Sequence, residues 1–334
     1  EAPAGYETIE DLKFTVEEDG SITPVDEATA EDNGWAWTDG QGIAVTAHDD
    51  PVEIDLVKRG SDTGDELVGA EFPIKPAAGG TFANAQPGEN EQGIVVTPEN
   101  AQDKLYGRLV VGKSYVLEET RAPAGYERLT DTATLSVAAD GTVSIAGGNS
   151  SGAFTLSEDG VSIEVVDHKL GVSLVKQGIA GQGLEGVEFT LAPAEDGVTF
   201  LDGTAEKSFT SDEFGAVFTD LQLTGSAEGT AYVLTETKAP AGYQPIDPLT
   251  FLVYEDGSVA LAETATTEQI NQTAIVNGAE DGIAVITVSD TPIDLVLKKS
   301  DPNGTALQGA EFTVSPVDDA TFADGTTEPK TIAT

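Results

Sequence analysis

The sequence contains no cysteine, no methionine and only two histidines, and it sets 16 basic residues against 59 acidic ones over 334 positions. Without cysteine there is no disulfide framework and no Cys-ligated metal site. The lack of methionine, even at the first position, reads as a segment cut from a longer chain. A signal peptide, anchor or sorting signal is therefore expected outside it. Apolar runs such as Ile94-Val95-Val96 fall far short of the about 20 residues that span a bilayer. A net charge of −43 argues against nucleic acid and against an anionic membrane surface, since both are held by clustered Lys and Arg. The acidity reads as solubility and mutual repulsion on an exposed surface. It does not read as disorder, because 39% of the residues are hydrophobic and they are patterned.

What is present is repetition. Ala-Pro-Ala-Gly-Tyr occurs at 2–6, 122–126 and 239–243. Tyr115–Thr120 (YVLEET) matches Tyr232–Thr237 (YVLTET), and Leu67–Phe72 (LVGAEF) matches Leu184–Phe189 and Leu307–Phe312. Ile54–Arg59, Val172–Gln177 and Leu295–Ser300 form another set, and Phe14–Ile22, Leu135–Val143 and Phe251–Val259 a fourth. The step from Lys58 to Lys176 is 118 residues and from Lys176 to Lys299 is 123. That is a domain, not a solenoid unit of about 20–50 residues. The expected organisation is the tail of one repeat at 1–50, complete repeats at 51–168 and 169–291, and the head of another at 292–334. The short joints between them predict a semi-rigid tandem array.

The fold class is all-β. Ile54, Leu56 and Lys58 recur at period two, as do Phe14 and Val16, Leu135 and Val137, and Phe251 and Val253. Each of that last set runs into Asp-Gly, which reads as a two-residue hairpin. Short strands with Gly-rich turns and no sustained helical period make a β-sandwich or barrel. Ala-Pro-Ala-Gly-Tyr has a local reason to recur. Pro123 and Pro240 stop the strand, Gly125 and Gly242 permit a left-handed bend, and Tyr126 and Tyr243 fold back over the sandwich end.

Period two also puts charge in the core stripe. Lys58 is in phase with Ile54 and Leu56, Lys176 with Val172 and Leu174, and Lys299 with Leu295 and Leu297. Lysine is almost never fully buried unless paired. Glu119 is in phase with Tyr115 and Leu117, and Glu236 with Tyr232 and Leu234. Asp49, Asp167 and Asp290 each follow an apolar pair at period two and precede the next Lys by nine residues. Each complete repeat thus aims a Lys, a Glu and an Asp inward. On alternation alone they read as a buried ion-pair network or as side chains snorkelling at the sandwich ends.

These motifs together resemble the collagen-adhesin B-type, SpaA-like repeats of Gram-positive surface adhesins and pilins. The resemblance covers nearly the whole chain. It implies a prealbumin-like, immunoglobulin-type β-sandwich and a location on the bacterial cell surface, with cell-wall anchoring through a segment outside this chain. Many family members close a spontaneous intramolecular isopeptide bond between a first-strand Lys and a last-strand Asn or Asp, promoted by a middle-strand Glu. Carried over, that implies Lys58–Asp167 with Glu119 and Lys176–Asp290 with Glu236. The acceptor here is Asp in both repeats, so water would leave in place of ammonia. Burial supports the chemistry, since it favours the neutral amine and the neutral acid. Asp49 and Lys299 remain unpaired within this chain, and both end pieces are expected to expose strand edges.

The expected role is a structural stalk segment that is not an enzyme and uses no cofactor or metal, its only chemistry being on itself. Its expected partners are neighbouring repeats, with a host matrix protein or glycan under the alternative reading. Other readings are weaker. Asp62-Thr63-Gly64 matches the aspartic-protease tripeptide but has no second copy. His48 and His168 flank the terminal Asp positions without a Ser-His-Asp or Cys-His arrangement. No EF-hand spacing occurs among the many carboxylates, and Ser300–Gly304 (SDPNG) reads as a turn. Trp35 and Trp37, in a segment read as irregular, are the candidates for the alternative, a ligand-binding adhesin module. Lys330 in EPKT is too weak a motif to mark a pilus-polymerising lysine. Asn149, Asn271 and Asn303 open N-x-[ST] triplets that matter only in a glycosylating host.

Overall fold

Burial along Asp55–Gly60 alternates residue by residue, with Leu56, Lys58 and Gly60 inside and Asp55, Val57 and Arg59 half-exposed. The same period holds along Ser162–Asp167, Thr132–Val137, Leu249–Val253 and Ala284–Asp290. One-sided burial at period two is the condition for packing two sheets face to face.

The computed structural model describes residues 2–9, 11–26, 30, 35–38, 44–158, 160–178, 180–212, 214–278, 283–318, 320–322 and 325–334, with the side chains of 36–38, 44 and 45 outside that description. The chain divides into two units, 1–169 and 170–334.

The first unit holds a sandwich. Its larger sheet is antiparallel, in the order Val143–Gly148, Thr132–Val137, Ser114–Glu118, Phe72–Pro76, Ile94–Val96. Its smaller sheet runs Phe154–Leu156, Ser162–Asp167, Asp55–Gly60. First and last strands lie side by side and parallel, with Lys58 opposite Val165 and Gly60 opposite Asp167. Ile54, Leu56, Ile163 and Val165 of one sheet meet Phe72, Ile74, Leu117 and Leu135 of the other in one core. Each such side chain contributes roughly 1.5–3 kcal/mol by leaving water.

The second unit repeats the plan. Lys207–Thr210, Glu188–Pro193, Thr230–Lys238, Leu249–Val253 and Val259–Leu261 form the larger sheet. The smaller one is Ala216–Phe218, Val172–Gly178, Ala284–Asp290, Thr273–Val276, with first and last strands again parallel and Gly178 opposite Asp290. The domains differ beside the first strand. The second places the strand Ala216–Phe218 there, whereas the first packs the short helix Ala101–Leu105 against it. Ala101 and Leu105 are four apart and both buried, so one helical face replaces a strand.

Three expectations need correction. The Asp-Gly turns are not two-residue hairpins. Ala138 N–H bonds to Thr142 O and Gly141 N–H to Ala138 O, which makes a three-residue loop, and the pattern recurs at 17–21 and 254–258. Gly20, Gly141 and Gly257 take φ of +84°, +82° and +75°, while the preceding Asp stays at negative φ. That Asp instead accepts the N–H two residues on, a local bond the two-residue turn would lose. Second, 293–299 forms no strand, and Leu295 and Lys299 are exposed. In both complete domains the first strand is held by the parallel last strand, and among the described residues of 292–334 there is no such partner. Third, Trp37 is not in irregular chain, since Ala36–Thr38 pairs with Ala44–Thr46.

Candidate functional site

Two sheets and three strands place each site. Lys58 and Asp167 come from adjacent parallel strands of the small sheet, offset by two residues so that both point inward. Glu119 is the first residue past Ser114–Glu118 and comes from the opposite sheet. In the second domain Lys176 and Asp290 occupy the same register, and Glu236 lies within Thr230–Lys238. The strand that carries each Glu is anchored by a buried tyrosine. Tyr115 Oη donates to Thr81 O at 2.9 Å, and Tyr232 Oη donates to Gln222 O at 2.8 Å.

All six groups are withdrawn from water. Lys58 and Asp167 are 0% exposed and Glu119 2%, while Lys176, Glu236 and Asp290 are 2%, 8% and 0% exposed. Lys58 Nζ lies 3.0 Å from Glu119 Oε1 and donates to Asp167 Oδ1. Lys176 Nζ donates to Glu236 Oε2 at 3.0 Å and to Asp290 Oδ1. Phe72 and Phe189 form apolar floors, their ring centroids 5.4 and 5.5 Å from the two ammonium nitrogens. Asp167 Oδ2, Asp290 Oδ2 and Glu236 Oε1 are buried without a hydrogen-bond partner, and Glu119 Oε1 faces Lys58 Nζ.

Burial raises Asp167 to about 7, and the neighbouring Glu119 carboxyl adds to the rise against the opposing pull of Lys58. Asp290 is raised to about 6, again chiefly by burial. Burial also pushes Glu119 up, although Lys58 and the Leu129 N–H favour its ionised form. In the first domain two carboxyls, both pushed up, share one lysine, so the cluster favours keeping a proton on one of them.

The structure therefore brings together Lys58, Glu119 and Asp167, and likewise Lys176, Glu236 and Asp290. Asp49 and Lys299 join no such cluster. Asp49 is half-buried just beyond Ala44–Thr46, and Lys299 is exposed. Asp62 of the Asp-Thr-Gly triplet accepts Tyr126 Oη at 3.1 Å and pairs with Lys169 at 3.2 Å, a structural junction at the end of the sandwich. Gly60 is needed at that junction, because a Cβ there would sit 2.7 Å from Tyr126 Oη. His168 lies 3.3 Å from Ser61 Oγ. Asn149 bonds both ways with the Phe154 backbone. Lys330 lies over the Phe322 ring, and Trp35 is half-buried.

Sequence reasoning missed two donors. Leu129 N–H reaches Glu119 Oε2 at 2.8 Å, and Ile246 N–H reaches Glu236 Oε2 at 3.1 Å. No residue type signals a main-chain donor. The one available clue is the constant ten-residue interval from Glu to donor across Ala-Pro-Ala-Gly-Tyr. Among the described residues no group of three or more acidic or His side chains is placed to hold a metal, and no helix is long and apolar enough to cross a membrane.

A family model described as SpaA, prealbumin-like fold domain, matches residues 52–151 and 171–267. A comparison with curated proteins gives no match. Solved structures similar to this chain include a C-terminal fragment of the pilus adhesin SpaC from Lactobacillus rhamnosus GG, at 19% identity over 73% of this chain and 98% of that one, TM-score 0.35. The longer SpaC chain in its open conformation matches at 18% identity over 83% of this chain and 36% of its own, TM-score 0.33. A streptococcal ancillary pilin matches at 18% identity over 72% and 62%, TM-score 0.27. The chain thus spans about a third of the longer SpaC adhesin.

Proposed function

The chain belongs to the SpaA prealbumin-like fold domain family, and we propose that it is a structural stalk segment of a Gram-positive cell-surface adhesin or pilin whose sandwiches are locked by intramolecular Lys–Asp isopeptide bonds. The observation that carries this reading is the buried Lys–Glu–Asp cluster, present in both domains at one register. An ion pair this deep has little net stability to offer, because desolvation offsets the attraction. Condensation removes both charges. One ammonium proton passes to the Asp, giving a neutral amine and a neutral acid; the Lys Nζ then bonds to the Asp Cγ, and the Asp hydroxyl leaves as water with a second of the three ammonium protons. The third stays on the amide nitrogen. Glu119 or Glu236 takes a proton from Nζ and returns it to the departing oxygen, so it is unchanged at the end. Contact held by the fold supplies about 7–11 kcal/mol of the barrier in well-oriented intramolecular cases. The chain acts on itself once and turns over no external substrate.

The test is the mass of the folded 334-residue chain. A deficit of two waters against the sequence is expected. Lys58→Ala and Lys176→Ala should each show one, and the double variant none. A folded wild type at the full sequence mass would sink the proposal and leave two polar networks.

The reaction should also depend on pH with a definite sign. It uses the acid form of the Asp, held to about 7 in the first domain and about 6 in the second. In chain kept unfolded from synthesis and then folded for the first time, the rate of water loss should fall as pH rises through these values, and fall earlier in the second domain. Quenched-aliquot mass spectrometry after proteolysis reads the two rates separately. Rates that rise together across this window would contradict the assignment of the neutral Asp as electrophile.

A further inference from the structure

We propose that the Ala-Pro-Ala-Gly-Tyr turn is a positioning device for the cross-linking carboxyl, placing one backbone N–H on Oε2 of the Glu so that the carboxyl is held against the Lys ammonium whose proton it takes. The inference rests on the isopeptide reading above.

The turn has the same build in all three copies. Tyr6, Tyr126 and Tyr243 N–H each bond at 3.1 Å to the carbonyl of the Pro three residues earlier. Gly5, Gly125 and Gly242 sit at the third position with φ of +92°, +83° and +88°, which only a residue tolerant of left-handed backbone can adopt. The chain then reverses and its return segment is tied down. Tyr126 bridges to Lys169 and Glu127 N–H bonds to His168 O at 2.9 Å. Tyr243 bridges to Pro292 and Gln244 N–H bonds to Thr291 O at 3.0 Å. These anchors are the residues directly after Asp167 and Asp290. Three residues past the Tyr, the next inward N–H lands on the Glu: Leu129 on Glu119 and Ile246 on Glu236. One turn therefore fixes the Glu relative to the Asp that it serves.

The chemical consequence concerns the proton. An oxygen that accepts an N–H must keep a lone pair on it, so the bond fixes the plane of the carboxyl and, on Glu119, favours the ionised form that can take a proton. In the first domain Oε1 then lies 3.0 Å from Lys58 Nζ, and in the second Oε2 takes both Lys176 and Ile246. A Glu free to rotate would lose this orientation while remaining in the core.

The experiment uses the full chain with changes in the first domain only, so the second domain's cross-link is the internal reference. Leu129→Pro removes the N–H. We expect first-domain water loss to slow at least about tenfold at an unchanged second-domain rate. The acid limb of its pH profile should also move up, because Glu119 must be ionised to take the Lys58 proton and the lost N–H had favoured that form. A merely structural defect would lower the rate equally at every pH. If Leu129→Pro does not fold, a second pair decides: Gly125→Val strains the turn, whereas Gly125→Asn tolerates its φ. Slow cross-linking in the Val variant with recovery in the Asn variant supports the proposal. A folded Leu129→Pro chain with wild-type rate and pH profile overturns it, as does equal behaviour of the Val and Asn variants. A wild type that loses no water in either domain removes the isopeptide reading and this inference together, and is recognised from the wild-type mass alone.

Discussion

Replacing Lys176 with methionine is expected to lower the melting temperature of the second domain by roughly 12–30 °C. The bond to Asp290 closes a loop of 114 residues. By the chain-entropy account of cross-links, a loop near 100 residues is worth about 4–5 kcal/mol. One kcal/mol shifts the midpoint of a domain this size by about 3–6 °C. Methionine is the informative substitution because it nearly keeps the volume of lysine, so cavity formation does not contribute. The variant should also acquire a pH dependence that the cross-linked protein lacks. Burial keeps Asp290 protonated at pH values where the unfolded chain, with its carboxyl near the ordinary 3.8, has already released the proton. The folded state then binds more protons, so stability falls as pH rises through the window between the two pKa values. The methionine variant should melt higher at about pH 4.5 than at about pH 8. Calorimetry on both chains reads both effects. A variant that melts within a few degrees of wild type would show that no covalent link had been lost.

Under tension, the wild-type chain should give neither of the two long unfolding steps that its domains would otherwise produce. First and last strands lie in parallel, with Lys58 and Asp167 at their C-terminal ends. Force entering at Val52 runs along the first strand to Lys58, crosses the amide, and leaves at His168. The chain between the linked pairs, a separation of 109 residues in the first domain and 114 in the second, stays slack. At about 3.3–3.6 Å per residue, each domain withholds roughly 360–410 Å of extension. Lys58→Met with Lys176→Met should restore two steps of that size in single-molecule pulling, and each single variant one. Steps of this length in the wild type would remove the mechanical part of the stalk proposal.

Much of this was legible in the order of residues. Period two alone put Lys58, Glu119 and Asp167 on inward faces, because a strand offers a side chain only two directions and the apolar neighbours declare which one is the core. The repeat step and the recurrence of Pro and Gly in one pentapeptide likewise follow from local backbone chemistry. Other features were not legible. Whether an Asp-Gly sits in a two- or a three-residue loop turns on whether the Asp side chain caps a nearby N–H. Whether Ala101–Leu105 is helix or strand is decided by what must cover the first strand. The alternation of Leu295, Leu297 and Lys299 is as good as that of Ile54, Leu56 and Lys58, yet 293–299 forms no strand, since alternation proposes a face but pairing with a last strand realises it.

The sequence by itself determined which side chains carry charge into each core and how far apart they lie along the chain. The tertiary structure alone decided that they meet. Glu119 and Asp167 belong to different sheets, and only the parallel pairing of first and last strands, packed 0% exposed beneath the opposite sheet, sets a lysine between two carboxyls. It also decided that Leu129 and Ile246 hold the Glu, for every residue but proline owns a backbone N–H and only the folded path of the chain selects which one arrives.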